Sequence, residues 1–189
     1  GRVVSGVSIL ETLRDSYGYD VKIISYLQGN KYLYSRGYNN LNEVTPMDYC
    51  SIGLLPTNKM GVYIHNCIRE FTPDLIVVDG EPLMIKSIKI SHPSIKVVAL
   101  LNPADVVNSN NYKEAMDFFN EFYSLSDLAI VHGLRRIDKD SRYNEFLSIS
   151  TIIRPEIIGV KNVPTNNIYC VLGGGTVNVE QQFVDSTIT

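Results

Sequence analysis

Helically spaced apolar residues are interleaved with short unbroken apolar runs along the chain. Val4, Val7, Leu10, Leu13 and Tyr17 recur every third or fourth position, with Val3 and Ile9 beside them. That spacing predicts a first helix, and Gly18 stops it. Strands are predicted at 21–26, 75–78, 95–101 and 128–131, and Leu75 to Val78 is an unbroken apolar run. A run without alternation reads as a strand buried on both faces, as in a parallel sheet. Between the runs, spacing predicts helices over 30–36, 62–71, 82–90 and 112–123, the last with Ala115, Phe118, Phe119 and Phe122 on its apolar side. Pro82 suits a first helical turn. Residues 39–59 are broken by Pro46, Gly53 and Pro56 and read as a long loop. Residues 135–148 are polar with some helical character, and 152–158 read as a last strand and turn around Arg154-Pro155-Glu156. The alternation predicts an α/β fold with a doubly wound, mostly parallel, Rossmann-like sheet.

Both ends read as cut. Gly1 stands immediately ahead of the first helix, like the end of a strand–glycine turn–helix unit whose strand is missing. Near the other end, residues 168–172 read as a strand, and Gly173-Gly174-Gly175-Thr176 turns into a further helical stretch. This predicts a first domain over 1–160, a linker over 161–167 and the start of a second domain over 168–189.

Composition narrows the classes. The chain has 189 residues, 44% of them hydrophobic and 20% charged, with a net charge of −3. That suits one α/β domain and gives no global reason to expect nucleic acid. There is no apolar run of membrane-span length and no signal-peptide pattern. Cys50, Cys67 and Cys170 match no metal spacing and read as reduced structural thiols in a cytoplasmic protein.

The chemistry sits where the apolar runs stop. Asp79-Gly80-Glu81, Asn102-Pro103 and His132-Gly133 each follow a predicted strand. In a parallel sheet those ends share one edge, which is where such sheets bind ligands. Asp79 and Glu81 therefore place two carboxylates where a ligand would be expected. Plainer readings stand beside these. Asp79 can cap the helix that begins at Pro82, and Arg2 can be a solvated first-turn residue. His65 reads as a core or surface histidine, and His92 as incidental. The triple glycine lacks the lysine of a Walker A loop.

Taken in order, these motifs resemble a family. Gly1-Arg2-Val3-Val4-Ser5 is similar to the glycine turn that opens the first helix of GT-B glycosyltransferases. The nearest resemblance is to the N-acetylglucosaminyltransferase of peptidoglycan synthesis and its bacterial and archaeal relatives. Pro73-Asp74 through Asp79-Gly80-Glu81-Pro82, Ser126-Asp127 through His132, Ile153-Arg154-Pro155-Glu156 and Val171-Leu172 through Thr176 also resemble that family's segments. The resemblance implies transfer of a sugar from a nucleotide sugar, most naturally a UDP-sugar, to an acceptor hydroxyl. It implies inversion and no metal or cofactor. Gly1, Arg2, Ser5, Gly80, Asn102 and His132 would then bind the acceptor. The amides of Gly173, Gly174, Gly175 and Thr176 would hold the donor phosphates. Relatives carry His where this chain has Arg2. An arginine cannot act as a base, but it can hold a phosphate or a carboxylate in two-point contact, so the general base of the implied transfer would be Glu81 first and Asp79 second. Other classes also fit: a nucleotide-sugar 2-epimerase, an acceptor-binding subunit of a split transferase, or a flavodoxin-like binding module. Arg135, Arg136, Lys139 and Arg142 form a basic cluster, either a solvated face or a contact with the inner membrane surface for a lipid-linked acceptor.

Overall fold

A computed structural model describes residues 2–26, 28–39, 41, 58–107 and 112–161. In chain order the elements are α1 (Arg2–Tyr17), α2 (Gln28–Ser35), α3 (Asn58–Phe71), β1 (Leu75–Asp79), α4 (Pro82–Ser91) and β2 (Lys96–Leu101). They continue with α5 (Pro103–Val106), α6 (Lys113–Tyr123), β3 (Leu128–His132), β4 (Phe146–Ile149) and α7 (Pro155–Ile158). All belong to one compact unit, Gly1–Ile158. The expected linker and second domain lie outside the described residues except for residue 161, as does most of the expected loop over 39–59.

The four strands form one all-parallel sheet in the order β1-β2-β3-β4. With helices packed against it, this is a Rossmann-like α/β arrangement. Among the described strands the order never reverses. α4 and α6 pack on each other and against one face. There Val78, Val97, Ala99, Leu101, Ala129 and Val131 meet Met84, Ile85 and Ile88 of α4 and Tyr123 of α6. Burying the valine, leucine, isoleucine and methionine side chains among these contributes about 1.5–3 kcal/mol each, before entropy is counted.

Several expectations are corrected. The run at 75–78 is not buried on both faces, because β1 is an edge strand among the described residues, with Leu75 48% and Val77 40% exposed. β2, a central strand, has both faces covered, with Val97 and Leu100 alike buried. Residues 21–26 form no strand, since no described strand pairs with them; an apolar run becomes a strand only with a neighbour to bond. Residues 135–148 are not helical and instead lead into β4, whose side chains alternate between half-buried and exposed. The expected strand at 152–153 is absent. Pro155 opens the short helix α7, and the Arg154 carbonyl accepts from the Ile157 and Ile158 N–H groups. α3 starts at Asn58, four residues before the apolar spacing becomes regular.

Candidate functional site

Parallel register brings the three polar strand ends together. Asp79 pairs with Leu100, and Leu101 with Val131, so Asp79, Asn102 and His132 stand at one edge. Arg2, in the first turn of α1, reaches into that edge. Its Nη1 donates to Asp79 Oδ1 at 3.2 Å and to Asp105 Oδ2 at 3.0 Å, and its Nη2 donates to Asp105 Oδ1. Asp105 also accepts the Asn102 N–H at 2.7 Å, which ties the start of α5 to the end of β2. The guanidinium passes directly over Gly80. A Cβ there would lie 2.6 Å from Arg2 Cδ and 2.7 Å from Nε. Gly80 also has φ +82, a left-handed conformation that a side chain disfavours. A Cβ on Gly133 would lie 2.7 Å from Pro103 Cδ, so the loops after β2 and β3 touch.

Among the described residues, three polar atoms of this cluster are buried without a hydrogen-bond partner: Asp79 Oδ2, Glu81 Oε2 and His132 Nδ1. Leaving such a group unpaired costs about 1–3 kcal/mol. Each has a consequence for protonation. Burial pushes the Glu81 carboxyl up to about 7, against the pull of Arg2. Burial also raises Asp79, while Arg2 and His132 oppose it. Burial lowers His132, with Asp79 acting the other way. Tyr123 is raised, first by burial and then by Asp105. Near neutral pH the protonated and ionised forms of the Glu81 carboxyl are therefore both populated. One guanidinium faces two carboxylates, so Arg2 is largely neutralised by the protein itself.

The arrangement decides several sequence-level alternatives. Arg2 is no solvated first-turn residue. Its two-point contact is with the Asp105 carboxylate of this chain. Asp79 does not cap α4. The N-cap position belongs to Glu81, whose side chain makes no capping bond. Arg2, Asp79, Gly80, Glu81, Asn102 and His132 are brought to the same edge. Ser5 lies half-buried about one turn along α1 from Arg2. Gly1 and the turn of Gly173, Gly174, Gly175 and Thr176 lie outside the described residues. Sequence reading missed Asp105 and Tyr123. Asp105 carried a signal, because Asn102-Pro103-Ala104-Asp105 is the pattern of a helix start with an acid at its third position. Nothing in the sequence marked Tyr123.

Among the described residues, no group of three or more His, Cys, Asp or Glu side chains is placed to hold a metal ion. No described helix is long and apolar enough to cross a membrane. Cys67 is a buried free thiol; Cys50 and Cys170 lie outside the described residues. No family model, curated protein or solved structure matches the chain.

Proposed function

We propose that this chain is the acceptor-side part of a glycosyltransferase that moves a sugar from a nucleotide sugar, a UDP-sugar in the first instance, to an acceptor hydroxyl with inversion and without a metal. One observation carries the reading: Glu81 Oε2 is buried and unpaired at the carboxyl edge of a parallel sheet, on a carboxyl raised to about 7. A base poised near the working pH is what proton abstraction from a hydroxyl needs. In the transfer, the acceptor oxygen bonds to the anomeric carbon as the bond to the diphosphate oxygen breaks. Its proton passes to Glu81, and the nucleoside diphosphate leaves. Asp79 Oδ2 and His132 Nδ1, the other unpaired polar atoms, orient further hydroxyls of the acceptor. Arg2 is a positioning residue that fixes Asp79 and Asp105. The resemblance to GT-B enzymes assigns the leaving phosphates to the amides of Gly173, Gly174, Gly175 and Thr176. The test is release of UDP from UDP-sugars in the presence of hydroxyl acceptors. Glu81→Gln should lower the rate by about 10²–10⁴-fold, and an unchanged rate would remove Glu81 from the mechanism.

A lipid-linked acceptor fits the same edge. Leu134 is fully exposed just beyond His132, with Arg135 and Arg136 exposed beside it. These three residues form the patch that would meet the inner membrane face of the cytoplasm. Arg142 does not join them, being paired with Asp140 and Asp117. Lys139 donates to the Asn144 carbonyl.

A second reading has its own support. Asp79, Glu81, Asp105 and His132 share one edge, and 2-epimerisation of a nucleotide sugar needs several carboxylates and a histidine. Epimerisation breaks the C2–H bond of the sugar. Deuterium from D2O at that carbon would therefore select it, and unlabelled transfer product would select the transferase.

A further inference from the structure

The opposite edge of the sheet carries a second polar cluster, which the proposed transfer does not use. α3 leads into β1 and α4 into β2, so the carboxyl ends of both helices meet there. Between them lies an open cavity of about 430 Å³ lined by Val62, His65, Arg69, Ser91 and His92. His65 Nδ1 lies 3.1 Å from His92 Nε2, and His65 Nε2 lies 2.7 Å from Ser87 Oγ. The two rings are stacked with centroids 5.2 Å apart.

The proton inventory of this relay is constrained. The facing nitrogens share one proton, and the Ser87 hydroxyl can donate or accept. His92 Nδ1, with no hydrogen bond to a described residue, therefore decides the outward character of the pair. It is a donor in one tautomeric arrangement and an acceptor in the other. Arg69 stands in the same cavity. Its Nη2 donates to the neutral side chain of Asn66, and no described carboxylate forms an ion pair with it. The charged or titratable groups facing His65 are His92 and Arg69, both basic, while Ser87 adds only a hydroxyl. In a chain of net charge −3, this cavity gathers three basic side chains, and among the described residues no acid lines it.

We propose that the cavity between α3 and α4 binds a tetrahedral oxyanion of the phosphate or sulfate type, held by Arg69, His92 and Ser91. The guanidinium supplies a charged fork, Ser91 a hydroxyl donor, and His92 a ring N–H. An anion selects the arrangement in which His92 donates and favours a further proton on the histidine pair. Binding therefore weakens as pH rises. The helix ends act against it, because their last carbonyls carry partial negative charge and Arg69 already complements the end of α3. The affinity expected is accordingly low, in the millimolar range.

The test is a proton NMR titration of the full chain, which has only three histidines. Sodium sulfate is the first probe, since its charge is constant between about pH 6 and 8, with sodium chloride at equal ionic strength as control. His132, at the other edge, serves as the internal reference. Saturable shifts are expected on His65 and His92 and not on His132, with binding about tenfold tighter at pH 6 than at pH 8. Arg69→Ala, a surface change, should weaken binding by about fivefold or more. Phosphatidic acid vesicles form a second arm. Arg69-dependent sedimentation with them, without saturation by sulfate, would assign the same site to a lipid headgroup. If neither probe shifts His65 and His92, if His132 shifts instead, or if Arg69→Ala changes nothing, the proposal is overturned. None of these outcomes depends on Glu81 or on transfer activity.

Discussion

Glu81 and Asp127 are both carboxylates at the end of a strand, yet their surroundings are opposite. Asp127, just ahead of β3, accepts from Lys89 Nζ at 2.9 Å, Lys96 Nζ at 3.3 Å and the Val97 N–H at 2.8 Å. Burial alone would raise its pKa, but those donors outweigh burial and hold it at about 2. Glu81, just after β1, leaves one oxygen buried with no donor, and its carboxyl rises to about 7. The amino edge uses its carboxylate to tie strands together. The carboxyl edge keeps one unsatisfied at a cost to stability. Perturbed, under-partnered groups of that kind mark functional sites more often than structural ones.

The largest expected effect comes from removing the ionisable group at Glu81. Beyond the loss of rate already described, Glu81→Gln should change the pH dependence of stability in a defined direction. The folded-state value of about 7 lies above the ordinary glutamate value of 4.5. Between the two, the unfolded chain has lost a proton that the folded chain retains. Wild-type stability should therefore fall as pH rises from about 4.5 to 7, by up to about 3 kcal/mol. The Gln variant should lack that slope and melt higher than wild type above pH 7. Thermal melts at about pH 5 and pH 8 check this. A variant less stable than wild type at the higher pH would mean that Glu81 is partnered after all.

Next in size is Arg2→Ala. It leaves Asp79 and Asp105 facing each other without their shared cation. Breaking one partner of a buried ion pair costs about 3–5 kcal/mol. Arg2 is 39% exposed, so about 2–4 kcal/mol is expected in urea unfolding. The same variant should raise the Asp79 pKa further. Gly80→Ala should follow at about 1–3 kcal/mol, from the left-handed backbone and the displaced Arg2 side chain. If Gly80→Ala proves neutral in unfolding experiments, the guanidinium does not lie over that turn.

The convergence of Asp79, Asn102 and His132 was legible because parallel strands put their carboxyl ends on one edge whatever the loops do. α1, α4 and α6 were legible from apolar spacing, and α4 also from Pro82. What failed was information that a local window does not hold. The run at 75–78 has the same composition in an edge strand as in a central one, and only the neighbours decide which faces are covered. β4 and α7 span four residues each, too few for a period to show. Arg2 meets Asp79 and Asp105 across 77 and 103 positions of chain, and no spacing rule connects them. His65 and His92 read singly as unremarkable residues, and their hydrogen bond exists only because α3 and α4 end side by side.

The smallest effect, and the control for the comparison, is at Asp127. Asp127→Ala removes the acceptor of the Val97 N–H and the partner of two lysines. Because Asp127 and Lys89 are partly exposed and Lys96 largely so, water screens the ionic part to about 1 kcal/mol or less, and the total should be about 1–2 kcal/mol. Its pH signature runs opposite to that of Glu81. A carboxylate depressed from 3.8 to about 2 stabilises the fold above its unfolded value, and that contribution disappears as pH falls through the folded value. Asp127→Asn separates the two parts, since the amide oxygen still accepts from Val97 but carries no charge. Urea unfolding near neutral pH should place Asn between wild type and Ala. If Asn matches Ala, the charge alone matters at the amino edge. If Asn matches wild type, the backbone bond does, and Asp127 is then a strand tie whose depressed pKa adds little to stability.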